Sequence, residues 1–131
     1  MDPFKKVAVG NTGVEVPLLG LGTAPLSGMV LGDGLYGGTA HEEALKVINR
    51  AFELGVSYVD TAPLYGAGRA EARVGLSSYG SDDRSKFVIS TKIGRVLDPT
   101  PDGMSASDDL DGIGDLTAVN SWTREIGRAH V

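Results

Sequence analysis

Three short apolar segments constrain this chain more than any other feature: "PLLGLGT", "VSYVD" and "KFVISTK", centred near residues 20, 58 and 89. Runs this brief and this apolar suit strands buried on both faces of a parallel sheet. Parallel neighbours need a long crossover between them, usually a helix. The first gap supplies one: Ala44, Leu45, Ile48, Ala51 and Phe52 recur at helical spacing. Thr39 with Glu42 fits a capping box at its start, and Gly55 stands where a helix stops. A shorter helix is predicted over residues 70–76, weakened by Gly75. Upstream, "KKVAV" and "VEV" flank the turn sequence "GNTG" and predict an N-terminal β-hairpin. The glycine-punctuated "PLSGMVLGDGLYGG" reads as a loop.

A hairpin followed by β-α-β-α-β defines an α/β protein with a parallel sheet and right-handed crossovers. The strand centres lie about 31 to 38 residues apart. That spacing suits a (β/α)8 barrel, at roughly 31 residues per unit, and a doubly wound sheet nearly as well. Both architectures gather functional groups at the C-terminal ends of their strands. Thr23, Asp60 and Lys92 fall at those ends, and Tyr65 follows in the loop after Asp60.

Two readings fit this set. A phenol ordinarily loses its proton near pH 10. An adjacent ammonium favours the phenolate, and a carboxylate can hold the ammonium in place. A Tyr–Lys–Asp relay of this kind supplies general acid–base catalysis at an oxygen, as carbonyl reduction or alcohol oxidation requires. Alternatively, Asp60 and Lys92 form a structural ion pair, and Tyr65 anchors a loop.

Composition removes several other classes. The chain has 131 residues, 41% of them hydrophobic, which suits one domain, and no run approaches the ~20 apolar residues of a membrane span. "MDPFKKVAV" lacks the apolar stretch and cleavage site of a signal peptide. Without cysteine there are no disulfides or thiolate metal sites, and a cytoplasmic location is the default. No His/Glu cluster has metal-ligand spacing, so no metal is expected. A net charge of −5 argues against nucleic acid as a partner. "GLGTAP" begins like a dinucleotide fingerprint, but Pro25 stands where the third glycine belongs.

"LGLGTAPL", "ALKVINRAFELGVSYVDTAPLYGAG" and "FVISTKIGR" together resemble the N-terminal part of the aldo-keto reductases, from about Phe4 to Leu97. The most specific piece is D-T-A, then Y-G, then G-x-x-E-x-x-V-G at Gly68, Glu71, Val74 and Gly75. "GTAPL" and "DTAPLYG" are most similar to the branch that oxidises free aldoses at C1, the galactose, fucose and threo-aldose dehydrogenases. The resemblance implies the first three βα units of a (β/α)8 TIM barrel behind an N-terminal β-hairpin. It also implies hydride transfer between NAD(P) and a sugar or other carbonyl substrate. Carried over by motif, the catalytic residues would be Tyr65 as acid–base, Lys92 as its activating partner and Asp60 as the anchor of Lys92. Gly22, Thr23 and Asp60 would line the nicotinamide end of the cofactor.

The family also uses a histidine after its fourth strand, and this chain has only His41, in a helical first turn, and His130. The resemblance places the cofactor's phosphates on barrel units later than any in this chain. The 131 residues alone are therefore expected to be inactive, and the alternative is a non-catalytic barrel-derived protein that acts by binding a protein partner. Residues 1–97 form the barrel part, 98–124 an acidic Gly/Asp-rich loop region, and 125–131, "EIGRAHV", are similar to translated sequencing adapter. With a sheet covered on one side only, Val59, Val88 and Ile89 are expected to expose apolar barrel-facing surface.

Overall fold

The computed structural model describes residues 2–28, 38–81, 84–99 and 116–122. Its first element is the expected hairpin: β1 (Lys6–Ala8) pairs antiparallel with β2 (Glu15–Pro17). Gly10 and Gly13, both at positive φ, turn the chain between them.

Three strands form the parallel sheet in the order β3 (Leu21–Gly22), β4 (Tyr58–Asp60) and β5 (Val88–Ser90). β3 is shorter than the apolar run around it predicts. Leu18 and Leu19 donate their amides to the Lys5 and Pro3 carbonyls, so they extend the hairpin rather than the sheet, and both side chains are exposed.

Helix α1 (His41–Glu53) crosses from β3 to β4 and presents Ala44 and Ile48, both fully buried, to the sheet. Its outer face carries the ion pairs Glu43–Lys46 and Arg50–Glu53, worth a few tenths of a kcal/mol each. Gly55 at φ +86 ends the helix as expected. The capping box does not form. Ala40 is the N-cap, and the Thr39 hydroxyl instead donates to the Pro25 carbonyl at 2.8 Å.

Helix α2 (Arg69–Leu76) follows β4, and the short α3 (Ser78–Ser81) follows it. The Asn49 side chain fastens α3 to α1 by accepting from the Ser78 amide at 2.8 Å and its hydroxyl at 2.9 Å.

The core lies on one face of the sheet, where Val59, Ala44, Ile48, Val74, Leu26 and Phe87 pack together with Leu21 and Ile89 against them. Burying a Val or Ile this fully contributes about 1.5–3 kcal/mol. The pairing Leu21–Val59 on one side, with Val59–Ile89 on the other, puts all three on the helix face. The sequence expectation that Val59 and Ile89 face the barrel interior is therefore wrong; strand alternation sends Tyr58, Asp60, Val88 and Ser90 there, so of Val59, Val88 and Ile89 only Val88 does. That face is polar apart from Val88.

Beyond the sheet, β6 (Arg95–Pro99) and β7 (Leu116–Asn120) form an antiparallel pair. Asp98 and Pro99, expected to begin a loop, are instead paired with Thr117 and Leu116. Residues 100–115 and 125–131 lie outside the described residues. Among those described, no helix is long and apolar enough to cross a membrane.

Candidate active site

Asp60 closes β4, and Lys92 lies two residues past β5 on the next strand. Parallel pairing puts Asp60 directly opposite Ser90, so the two strand ends bring Asp60 and Lys92 together across the sheet. Lys92 Nζ donates to Asp60 Oδ1 at 2.8 Å and to the Thr61 carbonyl at 2.9 Å. The second carboxylate oxygen, Oδ2, accepts from the Ser90 hydroxyl at 2.7 Å. Tyr58 completes the line, with its hydroxyl 3.0 Å from Ser90 Oγ.

Tyr65 is delivered by a loop with an unusual backbone. Gly66, Ala67 and Gly68 follow one another at φ +63, +47 and +82. Only Ala67 among them carries a Cβ, and a non-glycine residue there stores on the order of 1–3 kcal/mol of strain. Contacts on both sides hold the turn: Tyr65 donates its amide to Ala62, Gly68 donates to Pro63, and Arg69 Nε donates to the Gly66 carbonyl. The result sets the Tyr65 ring beside Lys92, whose ammonium lies 4.8 Å from the ring centroid.

The electrostatics follow the contacts. Burial pushes the Asp60 carboxyl up, but the hydrogen bonds from Lys92 and Ser90 and the Lys92 charge outweigh it and hold it below its ordinary value. Burial pushes Lys92 down, but the hydrogen bonds to Asp60 and Tyr65, with the charges behind them, raise it above its ordinary value. Lys92 is thus held as an ammonium. Both side chains keep solvent access, at 49% for Lys92 and 39% for Asp60.

Asp60, Tyr65 and Lys92, expected together from the sequence, form one cluster. Thr23 stands at the same rim, at the end of β3. It is fully buried, and its amide and hydroxyl each donate to the Asp60 carbonyl at 3.0 Å, which ties β3 to the end of β4. Gly22 is exposed, and a Cβ there would meet nothing within 4 Å.

Ser90 and Arg73 were not singled out in the sequence, and Glu71 was named there only as part of a motif. Ser90 could have been found, since it shares a strand face with Lys92 two positions on. Glu71 accepts from the Thr91 hydroxyl at 2.7 Å and so grips the residue before Lys92. Arg73 gave no signal; in a short helix it resembles a surface cation. It is buried, and its guanidinium donates to the carbonyls of Leu26 and Thr39, on either side of residues 29–37. Burial, with the Arg69 charge beside it, pushes Arg73 below its ordinary value.

A parallel βα sheet behind an N-terminal hairpin, with its polar cluster at the C-terminal strand ends, is the arrangement of α/β proteins that work at that rim, (β/α)8 barrels and doubly wound sheets alike. A model described as the aldo/keto reductase family matches residues 18–114, and the chain belongs to that family. Over 128 residues it is 33% identical to the D-threo-aldose 1-dehydrogenase of Pseudomonas sp, covering 95% of this chain and 37% of that protein. It is 34% identical over 96 residues to the L-galactose dehydrogenase of Arabidopsis thaliana, covering 72% and 28%. Among solved structures, the glycerol dehydrogenase of Gluconobacter oxydans superposes with a TM-score of 0.62 at 18% identity, over 95% of this chain and 33% of that one. An aldo-keto reductase from Bacillus halodurans superposes at 0.56 and 29% identity, over 77% and 28%. The chain thus spans about a third of the length of these relatives, or less.

Proposed function

We propose that these residues are the N-terminal part of an NAD(P)-dependent oxidoreductase acting on the C1 carbon of an aldose or on a similar carbonyl or alcohol. The observation that carries this reading is the Lys92 ammonium, held by the Asp60 carboxylate and lying against the Tyr65 ring. Tyr65 would give a proton to the substrate oxygen in reduction and take it back in oxidation. Lys92 would stabilise the phenolate left behind, and Asp60 would keep Lys92 charged and in place. The bound nicotinamide would supply or accept the hydride. The open space over Gly22 next to Asp60 suits a flat ring lying close to backbone, and Thr23 would brace that strand end from beneath. The similarity to D-threo-aldose and L-galactose dehydrogenases favours a sugar as substrate.

The test is to express the full-length protein and follow NAD(P)H absorbance with a panel of aldoses and simple carbonyls. Turnover that disappears in Tyr65→Phe supports the reading. Full turnover in Tyr65→Phe, or none with any substrate in the wild type, rejects it.

A further inference from the structure

Asp60 holds Lys92 with one carboxylate oxygen, and its other oxygen is engaged from the barrel-facing side of β5. The proton positions in that contact can be assigned. An ionised carboxylate only accepts, so the single proton of Ser90 is committed to Asp60 Oδ2. Ser90 Oγ can then only accept from Tyr58, 3.0 Å away, which makes the Tyr58 phenol the donor. The chain therefore runs one way, from Tyr58 to Ser90 to Asp60, where Lys92 meets it from the other side.

Two structural details aim this chain. The register sets Asp60 opposite Ser90 and Tyr58 opposite Val88, so all three polar groups share the barrel-facing side of the sheet. Gly20, on the neighbouring segment, lies so close to the Tyr58 ring that any Cβ there would collide with it. A carboxylate anchored at one oxygen turns easily, because its terminal torsion is broad. Anchored at both, it has a fixed plane.

We propose that Ser90 and Tyr58 are positioning residues, which lock the plane of the Asp60 carboxylate and through it fix the Lys92 ammonium beside Tyr65. This rests on the reading of Tyr65, Lys92 and Asp60 as the acid–base group. Among the described residues, the charged or titratable groups around Asp60 are Lys92 in direct contact, Tyr58 through Ser90 and Tyr65 beyond Lys92. Glu71 on α2 engages Thr91 instead.

The experiment uses the full-length protein with two readouts. In turnover, Ser90→Ala lowers kcat about ten- to a hundredfold with KM unchanged, the penalty of a misplaced catalytic group. Tyr58→Phe has a smaller effect, Ser90→Thr restores the rate, and the double variant matches Ser90→Ala because the chain is linear. Independently, carbon NMR of the Asp60 carboxyl shows its titration midpoint rising in Ser90→Ala and, less, in Tyr58→Phe, with no further rise in the double variant. If the wild type turns over nothing, the acid–base reading fails and the NMR titration still decides the relay. An unchanged Asp60 titration in Ser90→Ala, or additive effects of the two substitutions, overturns it.

Discussion

The Lys92 ammonium lies over the ring of Tyr65, 4.8 Å from its centroid. That contact joins a residue past β5 to a loop past β4, and it sets a fixed charge beside the expected acid–base residue. Replacing Lys92 with Met in the full-length protein should lower kcat by about 10²–10⁴-fold, in the range of a lost general acid–base contribution. Binding of the nicotinamide cofactor, followed by fluorescence, should change little. A variant that keeps its rate would show that the ion pair is structural.

The same pair predicts a stability plateau. Asp60 is held below its ordinary value, so its contribution is full above about pH 4 and fades as pH falls through the lower folded value. Lys92 is held above its ordinary value, so its contribution is full below about pH 10.4 and fades as pH rises through the higher folded value. Both groups are more than a third exposed, so screening limits the pair to about 0.2–1 kcal/mol. Melting curves of Asp60→Asn against wild type should differ at neutral pH and converge in acid. Curves that stay equally separated at every pH would remove Asp60 as the titrating group.

Gly66 bears on Tyr65 from the other side. It sits at φ +63, and a Cβ there would come 2.7 Å from the Ser27 carbonyl oxygen and 2.9 Å from its Cβ. Gly66→Ala should therefore cost roughly 1–3 kcal/mol and displace the tyrosine next to it. The expected result is a lower Tm together with a lower kcat. An unchanged Tm would mean that the turn relaxes without strain.

Thr61 follows Asp60 and is buried, and its hydroxyl is without a hydrogen-bond partner among the described residues. Such a group costs about 1–3 kcal/mol in protein mutational data. Thr61→Val keeps the shape and leaves the backbone carbonyl that Lys92 uses. Full-length Thr61→Val should be as stable as wild type or up to about 1–2 kcal/mol more stable. Marked destabilisation in denaturant titration would reveal a partner for the hydroxyl in the complete barrel.

Among the described residues, β3 and β5 each have one sheet neighbour, and Leu18, Leu19 and Ile93 are exposed. Unpaired strand edges next to apolar surface template aggregation. The 131-residue chain expressed alone should elute as large species in size exclusion. A soluble monomer with a sharp cooperative melt would contradict this.

The parts legible from sequence were those that depend on one element at a time. Asp60 and Lys92 each stand at a strand end, and strand ends show in apolar runs bounded by polar residues. Tyr65 follows from its place just after Asp60. The parts that depend on pairing did not show. That Ser90 faces Asp60 is a matter of register, and register also sends Val59 to the helices rather than to the barrel interior. Thr39 looked like a cap because its spacing to Glu42 is right, but its hydroxyl is drawn to Pro25. β6 and β7 each have five residues, and the stretch between their ends separates them too widely for local turn chemistry to reveal the pair.

The cluster is also short in chain terms. Among the described residues, Tyr58, Tyr65, Glu71, Ser90 and Lys92 of the cluster all lie on one continuous β-α-β stretch, with Thr23 bracing it from β3. Such a stretch is a portable cassette. Moved into a different barrel with the same strand register, it should carry its acid–base geometry with it, and the Lys92–Asp60 distance in a crystal structure of the chimera would show whether it does. Substrate preference could then diverge around the cassette while the proton-transfer chemistry is inherited as a unit.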